Sequence, residues 1–102
     1  MHAQLTYFDG PRSPEEIAAA EFAGTHRIEP LIATFDNVSS YVLQREDGSW
    51  FTVTIADSEQ TLREIQKAIM SMDLLPGEDV ALLRGPDRVE LFPVVAAHLQ
   101  GA

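Results

Sequence analysis

Polar and apolar residues alternate from His2 to Phe8, with Ala3, Leu5 and Tyr7 on one side and Gln4, Thr6 and Phe8 on the other. That period of two predicts a strand, broken by Asp9-Gly10-Pro11. Ser13-Pro14-Glu15-Glu16 then opens a helix. Ser13 is placed to cap it, Pro14 suits the first helical position, and Glu16 completes a capping box. At ~100° per residue, Ile17, Ala20, Gly24, Ile28 and Leu31 share one stripe. Gly24 costs the helix about 1 kcal/mol relative to Ala, which suggests close approach of its backbone to a sheet. Pro30 predicts a kink or restart around Glu29 to Ile32.

Val38 to Glu46 and Trp50 to Ala56 read as two further strands, with Asp47-Gly48 as a two-residue type I′ turn between them. Such a turn pairs Glu46 with Ser49. It sets Arg45, Leu43 and Tyr41 opposite Trp50, Thr52 and Thr54 on one side. Gln44, Val42 and Ser40 then oppose Phe51, Val53 and Ile55 on the other. This second side is the more apolar and is expected to lie under the helices. Asp57 or Ser58 caps a second helix, with Leu62, Ile65, Ile69 and Met72 as its apolar stripe. Met70 and Met72 read as core filler. Leu74-Leu75-Pro76-Gly77 ends that helix, and a helical turn is expected near Asp79 to Leu83. Arg88 to about Ala97 forms the last strand, with Pro93 restricting it to a sheet edge. No repeat or linker divides the chain, so residues 1–102 are expected to form one domain.

The order strand, helix, strand, strand, helix, strand is that of a ferredoxin-like α+β subunit, an antiparallel sheet with two helices on one face. The face away from the helices is expected to carry Tyr41, Leu43 and Trp50, with either Leu5 and Tyr7 or Thr6 and Phe8. Aromatic patches of that kind mark interfaces, and two such sheets packed face to face would cover each other. The chain resembles the antibiotic-biosynthesis-monooxygenase-like branch of the dimeric α+β barrel superfamily. The likeness rests on Ile28-Glu29-Pro30-Leu31, on Tyr41-Val42-Leu43-Gln44-Arg45-Glu46-Asp47-Gly48, and on Val53-Thr54-Ile55-Ala56-Asp57-Ser58-Glu59. It implies a homodimer. It also implies either a cofactor-independent monooxygenase or a small-molecule-binding protein acting on an aromatic or polyketide-like compound, or a non-catalytic dimeric accessory protein. Haem-degrading members carry an Asn on the first strand, a Trp at the end of the third and a His on the second helix. Here the first strand has no Asn, the third ends at Ala56, and the helix from Ser58 to Met72 has no His, so haem degradation is set aside.

Composition narrows the field further. The 102 residues carry a formal charge of −9, with 45% hydrophobic and 23% charged residues, the balance of a folded domain. The acidic balance argues against nucleic acid and anionic lipid as partners. There is no Cys, which removes thiolate metal sites and cysteine nucleophiles. No apolar run approaches a membrane span and the first residues lack a signal-peptide pattern, so a cytoplasmic protein is expected. No metal is expected, because His2, His26 and His98 lack metal-ligand spacing, and the resemblance implies no cofactor, since the oxygenases of that branch act without metal or flavin.

Four residues are candidates for a small-molecule site. Trp50, the only Trp, offers a rigid face for a planar ligand; alternatively it packs in the barrel or lies under Arg45 as a cation–π pair. Tyr41 and Thr54 are candidate substrate-binding residues, with sheet packing as the other explanation. Glu21, near the stripe of the first helix, is a candidate general base; alternatively it reaches solvent or pairs with Arg27. The acidic residues Asp47, Glu59, Asp73, Glu78, Asp79 and Asp87 read as solvated surface. Phe22 lies off the core stripe and reads as an interface residue.

Overall fold

A computed structural model of the chain describes residues 1–98. Strand β1 spans His2–Phe8, helix α1 Pro14–Ala23, a π-helical segment Gly24–Ile28 and a short helix α2 Glu29–Ile32. Strands β2 (Ser39–Gln44) and β3 (Trp50–Ala56), helix α3 (Glu59–Ser71), a 3₁₀ turn at Val80–Leu82 and strand β4 (Arg88–Pro93) follow. The strands form one sheet in the order β2-β3-β1-β4, antiparallel throughout. This small α+β architecture is consistent with a ferredoxin-like arrangement.

The local chemistry explains most boundaries. Ser13 Oγ accepts from the Glu16 N–H at 3.1 Å, and Glu16 Oε1 accepts from the Ser13 N–H at 3.1 Å, closing the expected capping box. Ser58 caps α3 by accepting from the Thr61 N–H at 3.1 Å. The irregularity in the first helix begins before Pro30. The Glu29 N–H donates to the Gly24 carbonyl, five residues back. Pro30 cannot donate, and its ring would press on the carbonyl four residues earlier in a regular helix; the wider π turn relieves that crowding. β4 lies at the sheet edge, as Pro93 requires.

The β2–β3 hairpin departs from expectation by one residue. The Arg45 N–H donates to the Ser49 carbonyl at 2.8 Å, and the Gly48 N–H to the Arg45 carbonyl at 3.1 Å. The loop is therefore Glu46-Asp47-Gly48, a type I turn closed by a glycine in the left-handed region at φ +85°. A type I′ turn needs positive φ at Asp47 as well, and Asp47 does not have it. Asp47 instead turns its carboxylate onto Ser49, accepting from its N–H at 2.9 Å and its hydroxyl at 2.6 Å.

A slip of one residue moves β2 to the opposite face relative to β3. Tyr41 pairs with Val53, and Leu43 with Phe51. Val53 pairs in turn with Leu5, Phe51 with Tyr7 and Ile55 with Ala3. These residues share one face, with Phe92 beside Ala3. The other face carries Gln4, Thr6 and Phe8 of β1, Trp50, Thr52, Thr54 and Ala56 of β3, and Val89 and Leu91 of β4. Helix α3 lies over this second face, where Gln4 Nε2 donates to Gln66 Oε1 at 3.0 Å. The expectation that Phe51, Val53 and Ile55 lie under the helices is thus reversed, as is the placement of Trp50 on the open face. Helix α3 packs on the more polar side of the sheet; on the more apolar side Tyr41, Leu43 and Phe92 are exposed, and Leu5, Tyr7, Phe51, Val53 and Ile55 are half-buried.

The core is correspondingly small. Its buried apolar residues are Ala23, Ala56, Leu62 and Ile65, while Tyr41 is 56% exposed and Phe92 45%. Met70, read as core filler, is 73% exposed because it follows the α3 stripe by one position. The accessible surface is 6958 Å², against about 5,700 Å² for a compact monomer of this mass.

Candidate functional site

Most of the chemistry on the helix-covered face is amide and hydroxyl. Gln4, Thr6 and Thr54 are all buried there. Gln4 Nε2 bridges Thr6 Oγ1 at 3.3 Å and Gln66 Oε1 at 3.0 Å. Ser40 Oγ and Thr54 Oγ1 share a hydrogen bond at 3.4 Å. A groove of about 400 Å³ opens between α3 and strands β1 and β4, lined by Gln4, Arg63, Gln66, Lys67, Val89 and Leu91. The α-helical spacing brings Arg63, Gln66 and Lys67 onto one side of α3. The period of two along β4 brings Val89 and Leu91 to the same side as Gln4. A second groove, of about 360 Å³, runs between α1 and the segment after α3, with Ala18, Ala19, Phe22, Leu82 and Leu83 in its wall.

The four sequence candidates do not converge. Trp50 is stacked on Phe8 with centroids 5.0 Å apart, and Arg12 lies over its ring at 5.1 Å. The cation expected over Trp50, Arg45, lies over Phe51 instead at 5.3 Å, a direct result of the shifted register. Trp50 therefore anchors the start of α1 to the sheet. Thr54 shares its face but sits four residues away along β3, about 13 Å. Tyr41 occupies the opposite, open face. Glu21 is exposed, and Arg27, its expected partner, pairs with Glu78. None of the four lines the α3 groove.

Two clusters escaped the sequence reading. Arg27 Nε meets Glu78 Oε2 at 2.9 Å with side chains 8% and 2% exposed, so Glu78 is interior and not solvated. Burial pushes the Glu78 carboxyl up, but the Leu75 N–H and the Arg27 guanidinium outweigh it and hold it below its usual range. At one end of the sheet, Asp9 lies 3.5 Å from Arg45 and 3.6 Å from Arg88. Arg88 covers the Tyr7 ring at 3.8 Å. Loss of water and the adjacent Glu90 carboxylate raise the Tyr7 phenol above its ordinary value. Partners drawn from distant strands leave no spacing pattern, which is why neither cluster was visible.

Among the described residues no group of His, Cys, Asp and Glu is placed to hold a metal ion. No helix among them is long and apolar enough to cross a membrane. A scan against protein-family models finds no match, and a search of curated proteins finds none.

Proposed function

We propose that the chain is a homodimeric small-molecule-binding protein of the antibiotic-biosynthesis-monooxygenase-like type, with two copies packed sheet to sheet as an α+β barrel. The observation that carries this reading is the inverted sheet. For an isolated subunit the arrangement is unfavourable, because Tyr41, Leu43 and Phe92 stay exposed while amides and hydroxyls occupy the space under the helix. A second copy on the open face resolves the first half. A ligand in the groove beside Gln4 and Gln66 accounts for the second. The charged residues on the open face, Asp9, Arg45, Arg88 and Glu90, pair among themselves, with Asp9 3.5 Å from Arg45 and 3.6 Å from Arg88, and Arg88 3.4 Å from Glu90. A stable dimer buries roughly 800 Å² per partner.

Binding is favoured over oxygenation because no Asp, Glu or His lines the α3 groove. Glu21, the candidate base, stands away from it.

Sedimentation velocity at micromolar concentration tests the assembly. Particles of twice 11.3 kDa are expected, and Phe51→Glu with Leu43→Glu should return them to 11.3 kDa. A wild-type chain sedimenting as a monomer throughout that range overturns the dimer. Native mass spectrometry of the same sample reads any bound compound as mass that is lost on denaturation.

A further inference from the structure

We propose that the groove between α3 and strands β1 and β4 binds a small amphipathic carboxylate, with Lys67 taking the acid group. The proposal deepens the binding reading above and rests on it. The chain has six Arg and one Lys. Among the described residues, every Arg has a carboxylate partner: Arg12 with Asp87, Arg27 with Glu78, Arg45 with Asp9, Arg63 with Glu59, Arg84 with Glu16, and Arg88 with Asp9 and Glu90. Lys67 makes no ion pair there. With a net charge of −9, a cation with no carboxylate partner is unusual, and this one lies at the groove.

The rest of the lining fits the same ligand. Val89 and Leu91 supply an apolar wall for a hydrocarbon or aryl body. Gln66 has its carbonyl oxygen engaged by Gln4, which leaves its amide N–H groups as donors for a carboxylate oxygen. Arg63, whose bond to Glu59 at 3.3 Å is solvent-exposed, adds a second positive charge on the same side of α3. A volume of about 400 Å³ admits a body the size of one or two rings with a short acidic tail. The positive charges of Lys67 and Arg63 favour an anionic occupant over a cationic or neutral one.

The test uses the full chain, ¹⁵N-labelled, with 4-phenylbutyrate and the neutral 4-phenylbutanol as probes. Phenylbutyrate should move the backbone amide signals of Gln4, Gln66, Lys67, Val89 and Leu91, and phenylbutanol should bind at least tenfold more weakly. Lys67→Gln should weaken phenylbutyrate about tenfold, and Lys67→Arg should restore most of that loss. Lys67 is exposed, so neither variant threatens folding. Equal binding of acid and alcohol, or binding indifferent to Lys67→Gln, overturns the carboxylate assignment while leaving the groove a ligand site. Saturable shifts confined to another surface, or none with either probe, overturn the groove as well. The sedimentation state of the same sample reports on the dimer separately.

Discussion

Arg27 and Glu78 are 51 residues apart in sequence and meet in the interior at 2.9 Å. Replacing Arg27 by Met leaves a buried carboxylate without its cation, which should cost about 3 kcal/mol. Urea denaturation measures it, and the double variant Arg27→Met with Glu78→Leu should recover most of the loss. A single-variant cost well under 1 kcal/mol would show that water reaches the pair. The same carboxyl sets an acid limit. Its folded value lies below its ordinary 4.5, so its contribution is present above that pH and is lost as pH falls through the lowered value. Glu16, lowered by the Ser13 N–H and by Arg84, and Asp47, lowered by the Ser49 hydroxyl and N–H, act in the same direction. Thermal melts between pH 7 and pH 3 should therefore fall steeply below about pH 4.5, and less steeply in Glu78→Gln. A profile unchanged by Glu78→Gln removes Glu78 from the acid response. Local chemistry at this scale was legible: Ser13, Glu16 and Ser58 cap where the sequence places them. The Arg27 partnership was not, because nothing in a linear pattern distinguishes a buried acid from a solvated one.

At the scale of elements, the hairpin shows how one residue redirects a reading. Asp-Gly marks both a two-residue turn and a three-residue turn ending in a left-handed glycine, and the two differ by one position in register. Strand boundaries were therefore readable while the faces were not. β1 and β3 match the expected spans, whereas β2 stops at Gln44 and β4 at Pro93. Gly48→Ala tests the turn. It places a side chain at φ +85°, costing about 1–2 kcal/mol. The added Cβ would also lie 3.1 Å from Ile17 Cδ1 and 3.4 Å from the Arg12 carbonyl oxygen. Gly77→Ala provides the comparison, since at φ +93° it has the backbone strain with nothing within 4 Å. Gly48→Ala should therefore unfold at lower urea than Gly77→Ala; equal losses would show that the neighbours of Gly48 yield freely.

For the whole molecule, element order made the architecture readable, and the candidate site was the least legible feature. Trp50, Tyr41, Thr54 and Glu21 were singled out for residue type, yet they point to different surroundings. The groove residues Gln4, Gln66 and Lys67 are ordinary in sequence and acquire meaning only through the packing of α3 on β1. The radius of gyration, 14.2 Å, exceeds the ~13 Å of a compact chain of this length, in keeping with a sheet covered on one side. Net charge then gives a check on self-association. Two copies at −9 each repel over a Debye length of about 30 Å at 0.01 M salt and about 10 Å at 0.1 M. Sedimentation equilibrium should show the dimer tightening several-fold across that range. Weakening instead would mean that ion pairs at the rim hold the copies together.

The π-helical segment gives the gene a place where length is not neutral. Its wider turn holds one residue more than a regular turn would, so a one-codon deletion within Gly24–Ile28 would restore an unbroken α-helix and satisfy every local preference except that of Pro30. It would leave the helix on either side in register, because the extra residue is what the wider turn absorbs, and would redirect the side chains inside the segment, among them Arg27, which pairs with Glu78. Lineages of this chain should therefore change letters in that segment far more readily than they change its count.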